Sequence, residues 1–312
     1  MKKPLVILTG PTAVGKTALS VELARSIGAE IISADSMQVY RGMDIGSAKI
    51  TREEMCGVRH YLIDDYDIFD EFSVNEFAVA AKKAIEEIYS HGKIPMIVGG
   101  TGFYIQAVLR DIDFTETDVD SELRRSLWER AEKEGPEALH AELSEIDPDA
   151  AEQIHANNVK RVIRALEYAM QTGEKISEHN RKETEKVSPY NFAYFVINRD
   201  RENLYSQIEK RVDDMMATGL VDEVESLRKR GATTELVSMQ GIGYKEILDY
   251  LNGETSLDEA VKRIKLGTRH LAKRQLTWFR REKEVIWLDA GNNTKDELLA
   301  IIHKNLRDRQ II

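Results

Sequence analysis

The 312-residue chain holds a single cysteine, Cys56. No intramolecular disulfide can form, which excludes the bridge-stapled secreted scaffolds and fits a reducing compartment. A thiol without a partner reads as structural rather than as a nucleophile. The seven histidines show no metal-ligand spacing, so no zinc site is expected. No stretch approaches the roughly 18 apolar residues of a membrane span. The charged start "MKKPLVILTGP" is followed by too short an apolar run for a signal peptide. A soluble, cytoplasmic protein with no membrane partner is therefore expected. Repeats and low-complexity segments are missing, and no long apolar stripe is left unexplained, so a monomer is expected too. Basic residues are outnumbered, 44 Lys and Arg against 54 Asp and Glu, for a net charge of −10. As a total this argues against a nucleic-acid partner, but binding depends on where cations cluster.

What the chain does have is a patterned interior. Hydrophobic residues make up 42% and charged residues 31%, the range of ordinary globular proteins. "PLVILTG", "AEIISADS", "HYLIDD" and "KIPMIVGG" are compact apolar runs that read as buried strands. Helical segments at Lys16 to Ile27 and Val74 to Ser90 separate them. This alternation predicts an α/β fold, a P-loop-type core with a parallel sheet flanked by helices, over residues 1–114. From Thr115 to Val187 the chain turns to helix formers, punctuated by Gly135-Pro136 and Asp147-Pro148 and ended by Gly173. A mainly helical insertion domain is expected over 115–187. The core resumes over 188–312, with strands at "NFAYFVINR" and "EVIWLD" and basic C-terminal helices.

"GPTAVGKT", Gly10 to Thr17, matches G-x-x-x-x-G-K-[ST] between a strand and a helix. Such a loop turns backbone N–H groups toward a phosphate at a helix N-terminus. Gly10, Thr12, Ala13, Val14 and Gly15 are the expected cradle. Lys16 reaches the terminal phosphate, and the Thr17 hydroxyl is the expected ligand of Mg²⁺. An ATP-using P-loop enzyme usually places a Walker-B aspartate after a second strand. Here the candidate strand ends "VGGTGFY", without a carboxylate. The acid best placed near the loop is Asp35 in "IISADSMQVYRG". From the residues alone Asp35 is a metal ligand, a general base, or a cap on a following helix. Ligands on parallel sheets bind at the carboxyl ends of strands, so Gly10, Asp35 and Thr101 are expected to meet in one crevice.

Seven segments in order carry a resemblance: "GPTAVGKT", "SADSMQVYRGMDIGSAK", "HYLID", "GGTGFYIQAVL", "NNVKRVIRALE", "QGIGYKE" and "TRHLAKRQLTWFRRE". Together they resemble the bacterial tRNA dimethylallyltransferase family, also called tRNA isopentenyltransferases. The resemblance spans most of the chain. It is thin in the helical stretch up to Ala156 and again at the C-terminal end.

The resemblance implies that the loop holds the diphosphate of dimethylallyl diphosphate rather than ATP, which fits the missing Walker-B acid. The acceptor is then N6 of the adenosine 3′-adjacent to the anticodon of a tRNA, and diphosphate leaves. It implies Asp35 as base or orienting group, Thr101 near the leaving oxygen and acceptor, and Arg211 as a holder of the diphosphate. Residues toward the extruded base and the anticodon stem-loop are Asp35, Ser36, Met37 and Gln38, with Gln240 and Lys245 from "QGIGYKE". A small-molecule kinase, an adenylate dimethylallyltransferase and a nucleotide-gated RNA-binding module are the competing readings of the same loop.

Two basic stretches answer the acidic total. Lys160, Arg161 and Arg164 lie on one predicted helix, with Lys160 and Arg164 on a shared face. Nine Lys or Arg against one acid fall within the 23 residues "VKRIKLGTRHLAKRQLTWFRREK". Arg269, Lys273 and Arg280 along this helix are the expected phosphate-backbone contacts. Trp278 and Phe279 sit at helical spacing with Leu276 and read as core rather than as stacking platforms.

Overall fold

The computed structural model describes residues 2–114 and 122–312. The chain forms two compact units: one runs to Val108 and resumes over Pro189–Ile312, and the other is Leu109–Ser188. The helical insertion expected to begin at Thr115 starts, on that expectation, at a residue outside those described.

The first unit is built on a six-stranded, wholly parallel sheet. Its strands are β1 (Lys3–Thr9), β2 (Ala29–Ala34), β3 (His60–Tyr61), β4 (Ile94–Gly99), β5 (Tyr190–Asn198) and β6 (Val285–Asp289). Their order across the sheet is β3-β2-β4-β1-β5-β6. Helices α1 (Lys16–Ile27), α2 (Val74–Ser90) and α3 (Gly102–Leu109) follow in the first half. Leu5, Val6, Ile7 and Leu8 are fully buried, as expected of a central parallel strand covered on both faces. α2 begins at a capping box, in which the Ser73 hydroxyl accepts from Glu76 N–H while the Glu76 carboxylate accepts from Ser73 N–H. Successive crossovers leave β1 beside β4 and β5, so the loops after β1, β2 and β4 converge at one end of the sheet.

One expected strand is cut short. "HYLIDD" pairs only at His60 and Tyr61, against Ile31 and Ile32. Leu62 and Asp64 then take positive φ, 61° and 58°, a backbone no strand can contain. Beyond β5 the unit continues through α9 (Arg201–Ala217), α10 (Leu220–Lys229), α11 (Tyr244–Leu251), the long α12 (Leu257–Phe279) and α13 (Lys295–Asp308).

The second unit is helical: α4 (Glu122–Glu134), α5 (Pro136–Ile146), α6 (Pro148–Gln153), α7 (Val159–Thr172) and α8 (Ile176–Glu185). Pro136 and Pro148 each open a helix, where a missing N–H costs nothing, and Gly173 closes α7 at φ 72°. Leu127, Leu139, Leu143, Val162 and Leu166 form its core. Asp147 ties two helices together. It caps α6 through Ala150 N–H and accepts from Ser177 N–H and Oγ–H at 2.9 and 2.6 Å.

Candidate active site

The phosphate loop owes its shape to backbone that side chains would forbid. Gly10 lies so close to β5 that a Cβ there would sit 2.4 Å from the Ile197 carbonyl oxygen. Gly15, at φ 99°, turns the chain into α1 with no side-chain cap, so the helix N-terminus faces the loop. Ala13 also takes a positive φ, 63°. Val14 is buried against the core while Thr17 is exposed at the first turn of α1. Lys16 Nζ folds back over the loop and donates to the Gly10 and Pro11 carbonyls at 2.9 and 2.8 Å.

The ends of β2 and β4 close in on this loop. Gly99 packs so tightly on β2 that a Cβ would meet the Ala34 carbonyl oxygen at 2.1 Å. The same carbonyl accepts from Thr101 N–H at 3.1 Å, which sets Thr101 beside the residue that precedes Asp35. A small, open cleft is lined by Lys16, Thr17, Ser33, Asp35, Gln38 and Gly99, and has an apolar wall that includes Ile31, Ile50, Ile63 and Val98.

Asp35 divides its carboxylate. Oδ1 accepts from Met37 N–H at 2.9 Å and Gln38 N–H at 3.4 Å, so it stabilises a turn rather than capping a helix. Removal from water, and after it the Arg211 guanidinium, bring Lys16 down to about 7 against the opposing pull of Asp35. Arg211, half-buried on α9, is itself lowered by burial, against the pull of Asp35 and Glu54. Lys16, Asp35 and Arg211 thus form one electrostatic group around the cleft.

The other expected residues are placed unequally. Ser36 and Met37 follow Asp35 in its turn, and Met37 packs on Gly241, where a Cβ would come within 2.6 Å of its Cε. That contact brings the "QGIGYKE" segment to the Asp35 turn, with Gln240 and Lys245 exposed near it. Gln38 has less freedom. Its Oε1 accepts from Ser33 Oγ–H, and its Nε2 donates to the Ser47 and Ala48 carbonyls. Tyr40, two residues on, is 1% exposed and belongs to the core.

Lys273 on α12 and Arg280 at its C-cap are exposed. Arg269 is ion-paired with Glu209 and lies 5.3 Å from the Tyr205 ring centroid. Phe279 is fully buried, as its helical spacing predicts. In the second unit, Lys160 and Arg161 are exposed on α7, while Arg164 is 3.3 Å from the buried Glu167.

Two residues near the site escape sequence reasoning. Gln275 on α12 accepts from Thr12 N–H and donates to the Gly100 carbonyl. Glu223 on α10 accepts from the Asp44, Ile45 and Gly46 N–H groups at 2.9, 2.7 and 3.1 Å, and from Tyr244 O–H at 2.7 Å. The periodicity of α12 was the available signal for the first, since Ala272 and Phe279 are the buried positions that flank Gln275.

A phosphate loop at the switch point of a parallel sheet, facing a carboxylate and a threonine on neighbouring strand ends, defines a P-loop-type α/β enzyme. The comparisons with known proteins narrow this class. The model of the IPP transferase family matches residues 38–282. The chain is 60% identical over 311 residues to a tRNA dimethylallyltransferase of Lachnoclostridium phytofermentans, covering 99% of each. It resembles the crystal structure of a Bacillus halodurans tRNA isopentenylpyrophosphate transferase, at TM-score 0.76 and 45% identity, covering 99% of this chain and 97% of that one. A eukaryotic dimethylallyltransferase acting on tRNA superposes at TM-score 0.83 and 30% identity, covering 98% of this chain and 80% of that one. The chain belongs to the tRNA dimethylallyltransferase family, the IPP transferases.

Proposed function

We propose that the chain transfers the dimethylallyl group of dimethylallyl diphosphate to N6 of the adenosine 3′-adjacent to the anticodon in tRNA, releasing diphosphate. The observation that carries this reading is the composition of the cleft. Lys16, Thr17 and Asp35 line it together with an apolar wall, and the Gly-Gly-Thr end of β4 adds no Walker-B carboxylate. A leaving diphosphate and an apolar five-carbon group suit such a cleft better than a transferred phosphoryl group does.

In the proposed reaction the C1–O bond to diphosphate breaks as the bond from N6 to C1 forms, and N6 gives up one proton. The Oδ2 of Asp35 is the carboxylate atom not engaged in the turn hydrogen bonds, and it takes that proton. The loop N–H groups, Lys16 and Arg211 hold the negative charge that grows on the leaving diphosphate. Thr101, whose N–H donates to the carbonyl of the residue before Asp35, takes the place near the leaving oxygen and the acceptor in this reading. An extruded base enters past Ser36, Met37 and Gln38. Exposed Lys160, Arg161, Lys245, Lys273 and Arg280 offer cations to the anticodon stem-loop.

Among the described residues no cluster of three or more His, Cys, Asp or Glu gathers as a metal site. The exposed Thr17 hydroxyl beside a diphosphate suits Mg²⁺, which keeps waters and shares substrate phosphates with few protein ligands. Thr17 would hold the ion, which supplies charge neutralisation to the leaving group. Among the described residues no helix is long and apolar enough to cross a membrane, and the single exposed Cys56 suits a reducing compartment. A cytoplasmic, monomeric enzyme is the reading in keeping with both.

The test is nucleoside analysis. Unmodified tRNA is incubated with protein, Mg²⁺ and dimethylallyl diphosphate, then digested. One adenosine beside the anticodon should gain a single dimethylallyl unit. Unaltered nucleosides would refute the proposal.

A further inference from the structure

Helix α12 reaches the site with two side chains three residues apart. Gln275 Oε1 accepts from Thr12 N–H at 2.9 Å, and Gln275 Nε2 donates to the Gly100 carbonyl at 3.0 Å. Trp278 lies over Gly102, where a Cβ would come within 2.2 Å of its Cδ1. A Cβ at Gly100 would lie 2.2 Å from Gln275 Nε2. Neither glycine has a left-handed backbone. What these positions use is the absence of a side chain, which lets one helix face press on both sides of Thr101. Thr101 is held from the other direction by the Ala34 carbonyl.

We infer that Gln275 is a positioning residue for the transfer: it fixes the spacing between the phosphate loop at Thr12 and the Thr101 turn at Gly100. The inference rests on the reading of the loop as holder of the donor's diphosphate. A primary amide donates at one end and accepts at the other. That is what a backbone N–H on one loop and a carbonyl on the other require. Glutamate has the same length but, when ionised, accepts at both ends and faces the Gly100 carbonyl with a lone pair. Methionine has the same length and does neither. The residue touches neither reacting group; it sets where two loops that do are held. Displacing such groups by about 1 Å costs on the order of 10²-fold in rate.

The experiment compares wild type, Gln275→Met and Gln275→Glu as full-length proteins. Single-turnover transfer from dimethylallyl diphosphate to unmodified tRNA is measured at saturating substrates with Mg²⁺. Affinity for tRNA and the unfolding midpoint are measured alongside. Gln275→Met should lose on the order of 10²-fold in rate with tRNA affinity unchanged and the fold intact. Gln275→Glu should be as slow at neutral pH. Its rate relative to wild type should recover as pH falls, because the protonated carboxyl regains a donor for Gly100. A folded Gln275→Met variant with the wild-type rate would overturn the inference, and so would a deficit explained wholly by lost tRNA affinity. If Gln275→Met does not fold, a Gln275→Glu deficit that ignores pH overturns it. Wild type that fails to transfer at all would instead bring down the functional reading beneath it.

Discussion

Asp35 serves two ends with one side chain. Oδ1 holds the turn through Met37 and Gln38, which orients the carboxylate proposed as the base. Asp35→Asn preserves the size and an acceptor oxygen but removes the base. Its transfer rate should fall about 10²- to 10⁴-fold. Binding of labelled tRNA, measured by filter retention, should be unchanged, and a parallel loss of binding would make Asp35 a recognition residue instead. Lys16 supplies a second prediction at this scale. Its pKa is about 7 in the folded chain against an ordinary 10.5, so between these limits the unfolded chain carries more protons. Stability should therefore rise with pH across that window, and Lys16→Met should flatten the rise in thermal unfolding curves. An anionic diphosphate restores the charge on Lys16. Donor binding above about pH 7 should then take up a proton, detectable by calorimetry in buffers of different ionisation enthalpy.

Among the elements, those with strong local signals were legible in the sequence. α1 and α2 span Lys16–Ile27 and Val74–Ser90, the ranges read from their apolar periodicity. The strands β2, β4 and β6 lie within expected apolar runs, and β1 and β5 each begin one residue before theirs. "HYLIDD" was misleading because its apolar run is real, while the positive φ at Leu62 and Asp64 arises from tertiary placement. The G-x-x-x-x-G-K-T loop and the position of Asp35 stood out because those residue types are rare in that spacing, but the turn that Asp35 holds, in place of a helix cap, was not legible. Nor were Glu223 and Gln275, since a carboxylate on a charged helix reads as a solvated face, and the buried stripe of α12 places Gln275 without saying what its amide would hold. Glu223 shows what such a residue does. It collects three N–H groups of the 44–46 segment, whose neighbours Ser47 and Ala48 in turn hold Gln38. Glu223→Ala should lower stability by roughly 1–3 kcal/mol in denaturant unfolding, because those donors lose their acceptor. A variant as stable as wild type would mean that water replaces the carboxylate at no cost.

For the whole molecule, the acidic total hides local order. The second unit buries Glu167 completely, 2.6 Å from Arg124 and 3.3 Å from Arg164. Glu167→Ala should destabilise that unit by roughly 1–3 kcal/mol, read from chemical denaturation, since it removes a buried acceptor whose Arg124 and Arg164 partners keep partial access to water. In a chain of net charge −10, Lys160, Arg161, Lys273 and Arg280 are exposed, and they are the cations proposed to meet RNA. The central claim is that the phosphate loop grips a diphosphate that departs, rather than a phosphoryl group that is passed on. The most direct test incubates the protein, Mg²⁺ and unmodified tRNA with dimethylallyl diphosphate labelled in its carbon chain, and separately with γ-labelled ATP. The account predicts carbon label in tRNA, matched by released diphosphate, and no transfer or release from ATP. Label moved or released only from ATP would contradict it.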